Sequence, residues 1–116
     1  MIQRDRLVND FEAMSKLTAP GEGINRLAFT DADWAGRQYI MDRMVDAGLT
    51  VETDGFGNVI GYKLGKNPEL PVVMVGSHTD SVPNGGNYDG VVGVLSAIEA
   101  VRSMNDDGFD HDYTIA

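Results

Sequence analysis

Residues 76–90 read GSHTDSVPNGGNYDG and place one imidazole, His78, and three oxygen-bearing side chains, Asp80, Asn87 and Asp89, around the glycine pair Gly85-Gly86. A neutral imidazole is the commonest side-chain metal ligand, and its second nitrogen then needs a hydrogen-bond acceptor. Asp80 follows His78 by two residues, so in an extended segment it lies on the same side and can fix the ring from behind. Asp89 comes later, after a stretch containing Pro83 and both glycines, and such a loop can fold its carboxylate back towards His78. Asp89 is also placed to cap a following helix, where the macrodipole favours a negative charge.

Each residue has a plainer reading by itself. A single histidine at a strand end is more often a satisfied histidine than a ligand. Asp80 alone is a turn former, Asp89 alone a helix cap, and Gly85-Gly86 a simple turn. Their coincidence at one strand-to-helix junction favours metal binding. One histidine and two aspartates still make an incomplete site and do not name a reaction.

The elements that must position these residues follow from periodicity. Leu7, Val8, Phe11, Met14 and Leu17 predict a helix over 3–18, stopped by Pro20 and Gly21-Glu22-Gly23. Thr30 and Asp33 resemble a capping box that starts a second helix over 31–47, through Trp34, Ile40, Met41, Met44 and Val45, with Gly48 as its C′ residue. Alternation predicts strands at 49–54 and 58–64, joined as a hairpin by the Asp54-Gly55-Phe56-Gly57 turn. The continuous apolar run 71–77 predicts a central strand buried on both faces. Val91, Val94, Leu95, Ile98 and Val101 predict a deeply buried helix over 90–104. Tyr113-Thr114-Ile115-Ala116 reads as the start of another strand, 112–116, left unpaired at the sheet edge. An ending inside a strand predicts that the 116 residues are a fragment, with a frayed terminal strand as the plainer reading. The fold class expected is α/β, with helices packed on a mixed sheet.

Composition narrows the partners. The net charge of −9 repels phosphate, so neither nucleic acid nor an anionic membrane surface is an expected partner. No apolar run reaches the ~18 residues of a membrane helix. There is no cysteine, which excludes disulfides, thiolate nucleophiles and cysteine-bound zinc, and fits the cytoplasm.

At GSHTDSVPNGGNYDGVVGVL the sequence resembles the first metal motif of the amidase/hydantoinase/carbamoylase branch of the dinuclear metallopeptidases. GEGINRLAFTDADWAGRQYIMDRMVDAGLTVETDGFGNVIGYKLG is similar to the segment before that motif, including Arg26-Leu27 and Gly57-Asn58. The resemblance implies that residues 1–116 are the N-terminal part of a single α/β catalytic domain, which would hold two divalent ions (zinc, manganese, cobalt or nickel). His78 would be a terminal ligand, Asp89 the bridging carboxylate, and Asp80 the residue that orients the histidine. It implies hydrolysis of a C–N bond in N-carbamoyl-L-amino acids, with allantoate amidohydrolase or β-ureidopropionase as alternatives, and a homodimer for the full-length enzyme. The family's general base, an adjacent glutamate and two further histidines have no match here; neither Glu99 nor His111 fits such a role. The chain alone is therefore expected to be inactive. The competing reading is a stand-alone, non-catalytic binding or interaction module.

Overall fold

A computed structural model describes all 116 residues. Three helices, α1 (Arg4–Ser15), α2 (Asp31–Asp46) and α3 (Val91–Asp106), pack with a small antiparallel sheet of β1 (Thr50–Thr53) and β2 (Val59–Tyr62). The expected helices and the hairpin are therefore present, with slightly different ends.

Local chemistry explains the boundaries. Thr30 Oγ1 accepts from Asp33 N at 3.4 Å, and the Asp33 carboxylate accepts from Phe29 N at 2.8 Å. That is a capping box whose return bond reaches one residue further back. Gly48, at φ 79°, ends α2: Leu49 N donates to Met44 O at 3.0 Å and Gly48 N to Val45 O at 2.9 Å. Both bonds satisfy carbonyls that a helix end leaves free. The turn between β1 and β2 closes on the Asp54 carboxylate, which accepts from the backbone of Phe56, Gly57 and Asn58. A hydrogen bond from the Asn58 side chain, together with these backbone bonds, holds the Asp54 carboxyl below its ordinary range.

The core is small. Met14, Ile40, Ala47, Val91, Leu95, Ile98 and Val101 form it, with Leu7, Phe11, Tyr39 and Met44 packed around them. The buried face of α2 is Asp33, Gly36 and Ile40 rather than the expected stripe, because Trp34 and Val45 stand exposed. α3 is not deeply buried on every face: Val92 is exposed, whereas Val91, Leu95, Ile98, Val101 and the charged Glu99 are buried.

Two expectations about the sheet are overturned. Residues 71–77 are neither central nor buried: Val73 is 53% and Val75 56% exposed. Residues 112–116 are not the unpaired edge. Ile115 pairs antiparallel with Lys63 and parallel with Val73. Val73 N donates to Thr114 O and Val75 N to Ala116 O, both at 2.9 Å, and Ala116 N donates to Val73 O at 3.0 Å. The spatial order is thus β1, β2, 114–116, 73–75, a mixed arrangement whose last two members are short bridged segments. Within these 116 residues 114–116 take both neighbours, and 73–75 are paired on one side only.

Candidate functional site

The loop from Ser77 to Gly90 follows the 73–75 segment and ends at the first turn of α3. It is pinned along its length by residues 24–26. Ile24 and Gly85 exchange backbone hydrogen bonds of 2.9 and 2.8 Å, Asn84 N donates to Asn25 Oδ1 at 2.8 Å, and Ser81 N donates to Arg26 O at 2.8 Å. The loop is irregular in conformation yet closely tied by these bonds.

His78 and Asp89 are brought together. His78 Nε2 lies 3.7 Å from Asp89 Oδ2, with the side chains 51% and 77% exposed. The approach depends on Gly90. At φ 70° it favours a residue without a Cβ, and a Cβ there would sit 2.4 Å from His78 Cε1. Gly93, one turn on, similarly makes room for Ser77. Neither glycine stood out as a site residue in the sequence, although their spacing at a helix start was a visible signal.

Asp80 also reaches the ring, but chiefly through its backbone. Its carbonyl oxygen is 3.0 Å from His78 Nδ1, and its carboxylate Oδ1 is 3.4 Å away. A carbonyl can only accept, so Nδ1 carries the proton and Nε2 presents its lone pair. That lone pair faces the Asp89 carboxylate, and a cation between the two would make the contact favourable.

The expected cap by Asp89 is absent. Gly90 is the N-cap of α3, and no side chain accepts from the first turn. The Asp89 carbonyl instead accepts from Val91 N at 2.8 Å, which leaves the carboxylate free of helix duty. Asn87 is half-buried, and its Oδ1 is sequestered with no hydrogen-bond partner.

His78 and Asp80 open on a cleft of about 600 Å³, shared with Phe29, Arg37, Ile98 and Ala116. That is the volume of a small-molecule site. On its wall, the Arg37 guanidinium stacks over the rings of Trp34 and Phe29, at 4.7 and 5.2 Å from their centroids, and pairs with Asp33 at 2.9 Å. No group of three or more histidine, aspartate or glutamate side chains is assembled to enclose a metal ion. His111 bonds through Nδ1 with the Tyr113 carbonyl at 2.6 Å, in a different loop.

N-carbamoyl-L-amino-acid amidohydrolase of Paenarthrobacter aurescens is 42% identical over 107 residues, which cover 92% of this chain and 26% of that one. Among solved structures, a hydantoinase/carbamoylase family amidase from Burkholderia multivorans superimposes with a TM-score of 0.93 at 41% identity, over 98% of this chain and 28% of that one. The chain belongs to the hydantoinase/carbamoylase amidase family. It spans about a quarter of the length of the curated relatives it matches. Ureidoglycolate hydrolase of Arabidopsis thaliana is similar as well, 44% identical over 104 residues, which are 89% of this chain and 22% of that one. The family members it resembles are thus hydrolases of C–N bonds. No family model matches the chain. No helix is long and apolar enough to cross a membrane.

Proposed function

We propose that this chain is the part of a metal-dependent amidohydrolase that carries its first metal ligands, and that the whole enzyme cleaves the C–N bond of N-carbamoyl-L-amino acids. The observation that carries the reading is the pair of His78 Nε2 and Asp89 Oδ2 at 3.7 Å, with Nδ1 held by Asp80. Two ligand atoms each ~2.0–2.2 Å from one ion stand about 3–4 Å apart. A neutral imidazole with a fixed tautomer beside a free carboxylate also suits a divalent cation chemically.

In this reading His78 would hold a metal ion as a terminal ligand, Asp89 would be the carboxylate shared between two ions, and Asp80 would orient the imidazole. Bound divalent ions supply Lewis-acid polarisation of a carbonyl and generate a nucleophile from water at neutral pH. The chain's own residues hold and orient. His78 keeps its proton on Nδ1 and offers Nε2, while Asp89 offers a carboxylate oxygen 3.7 Å from it.

No glutamate lines the cleft, and the aspartates that do are engaged, Asp33 with Arg37 and Asp80 with the His78 ring. Glu99 is fully buried and bonded to Arg6. General-base help is worth typically ~10²–10⁴-fold, and two protein ligands cannot close a tetrahedral site. The 116-residue chain is therefore expected to bind metal weakly and to have no useful activity.

Zinc titration followed by NMR tests the metal reading. Shifts at His78, Gly90 and Asp89 that vanish in His78→Ala support it, and an unmoved His78 ring at millimolar zinc sinks it. Ammonia release from N-carbamoyl-L-methionine with manganese or cobalt should be absent; turnover lost in His78→Ala would show that the chain is catalytic alone. A second reading, ureidoglycolate as the whole enzyme's substrate, is favoured by the similarity to the plant hydrolase. A longer protein containing this chain, assayed on both substrates, separates the two.

A further inference from the structure

We propose that Arg26 is a positioning residue of the His78–Asp89 site: its side chain ties the backbone beside His78 to the end of α1 and so sets where the imidazole stands. The inference rests on the metal reading above and extends it to a residue that cannot itself meet a metal.

Arg26 is 1% exposed. Its Nε donates to the Thr79 carbonyl at 2.7 Å, and its Nη1 donates to the carbonyls of Met14 at 2.9 Å and Leu17 at 2.6 Å. Those last two lie at the C-terminal end of α1, and a cation there meets the negative end of the helix dipole. One guanidinium therefore spans two bodies, the end of α1 and the loop that bears the site.

The backbone of residue 26 adds a second grip. Arg26 N donates to Ser81 Oγ at 2.9 Å, and Ser81 N donates to Arg26 O at 2.8 Å. Residues 79 and 81 are thus both fixed to residue 26. The Asp80 carbonyl between them meets His78 Nδ1 instead, which is the contact that sets the tautomer.

α2 leaves just enough room for this. A Cβ at Gly36 would stand 2.7 Å from Arg26 Cδ, so the helix passes the guanidinium stem only because position 36 has no side chain. A lysine could not replace the arginine: its ammonium is a single point, and it cannot reach Thr79 and α1 at once.

Three variants test this in the 116-residue chain, with two readouts: amide hydrogen exchange across residues 78–82, and zinc affinity by NMR titration. Arg26→Lys removes the two-sided grip but keeps the charge. Gly36→Ala pushes on the arginine without altering it. Val101→Ala, in the core, is the control for general loss of stability. In Arg26→Lys, exchange at Ser81 and its neighbours should rise about tenfold relative to α3, and zinc affinity should fall on the order of 10–100-fold, as for outer-sphere partners of metal ligands. Gly36→Ala should move both readouts the same way by less. Val101→Ala should lower the melting temperature with the loop-to-α3 exchange ratio and the zinc affinity unchanged. If Arg26→Lys loosens the loop and weakens zinc no more than Val101→Ala, the proposal is wrong. If Arg26→Lys does not fold, Gly36→Ala decides alone. If the wild-type chain binds no zinc, the metal reading fails, and the exchange ratio still decides whether Arg26 positions the loop.

Discussion

Two clusters of charge in this molecule behave in opposite ways. Between α1 and α3, Glu99 is fully buried, accepts from Arg6 Nε at 2.7 Å and Nη2 at 2.8 Å, and takes a further bond from Gln3 N at 2.8 Å. Beside it, Arg102 pairs with Asp10, which also accepts from Tyr39 at 2.6 Å. Burial and that bond push the Tyr39 phenol up to about 12. Every group there answers another. At the Ser77–Gly90 loop the side chains are more exposed, and the imidazole lone pair and the Asp89 carboxylate face each other unanswered. Both clusters have close opposing groups, but only the second has coordinating capacity left over for something from outside.

The largest expected effect tests the closed cluster. Glu99→Ala leaves Arg6 and Arg102 without their shared partner, and breaking a buried pair costs about 3–5 kcal/mol. Urea denaturation should show most of the chain's stability gone. A loss below ~1 kcal/mol would mean that this cluster behaves as a surface one and that the contrast is false.

Next comes the hinge of the open cluster. Gly90→Ala adds a Cβ at φ 70° against the His78 ring. A strained left-handed residue costs about 1–3 kcal/mol, and His78 must move. The His78–Gly90 cross-peaks in NOE spectra should disappear while the Glu99–Arg6 contacts persist. Unchanged cross-peaks would remove Gly90 from the site.

Acid sharpens the comparison by sign. The hydrogen bond from Arg6 is the main cause that holds the Glu99 carboxyl below its ordinary range, against the opposing effect of burial. A depressed folded-state value means the unfolded chain binds the proton more readily. This contribution to stability is full above the unfolded value, about 4.3, and is lost as pH falls through the lower folded value. The wild type should therefore lose stability steeply below about pH 4, and Glu99→Gln should flatten that slope. An equal slope in both would assign acid sensitivity to other carboxylates.

The smallest effect belongs to the open cluster. His78→Ala should change stability by no more than ~0.5 kcal/mol, while erasing the zinc response. A destabilisation approaching that of Glu99→Ala would make His78 a structural residue.

The same contrast separates what the sequence reveals from what it hides. Thr30 with Asp33 and Gly48 marked the ends of α2, since capping is a local exchange between neighbours. His78 and Asp89 were legible as a pair because one short, glycine-bearing loop joins them. Glu99 was not legible as a structural centre, because its main partner, Arg6, is 93 residues away and an isolated glutamate in an apolar helix looks like a solvent-facing one. The run 71–77 was misplaced for a related reason. Its pattern reports that the residues are apolar, whereas which segment lies beside them depends on 114–116, and hydropathy carries no pairing information. Asp89 was misread as a cap because the choice turned on the φ of Gly90.

The order of the sheet bears on the sequence of events during synthesis. No backbone hydrogen bond joins the β1–β2 hairpin to residues 73–75; residues 114–116 are the seam between them. A chain growing at roughly 5–20 residues per second has its hairpin and its histidine loop exposed well before that seam has been made. Until residues 114–116 leave the ribosome, the two halves of the sheet are separate bodies tied only through the helices. The bonds that link residues 73–75 to the hairpin through 114–116 thus form only after both the hairpin and the histidine loop have emerged.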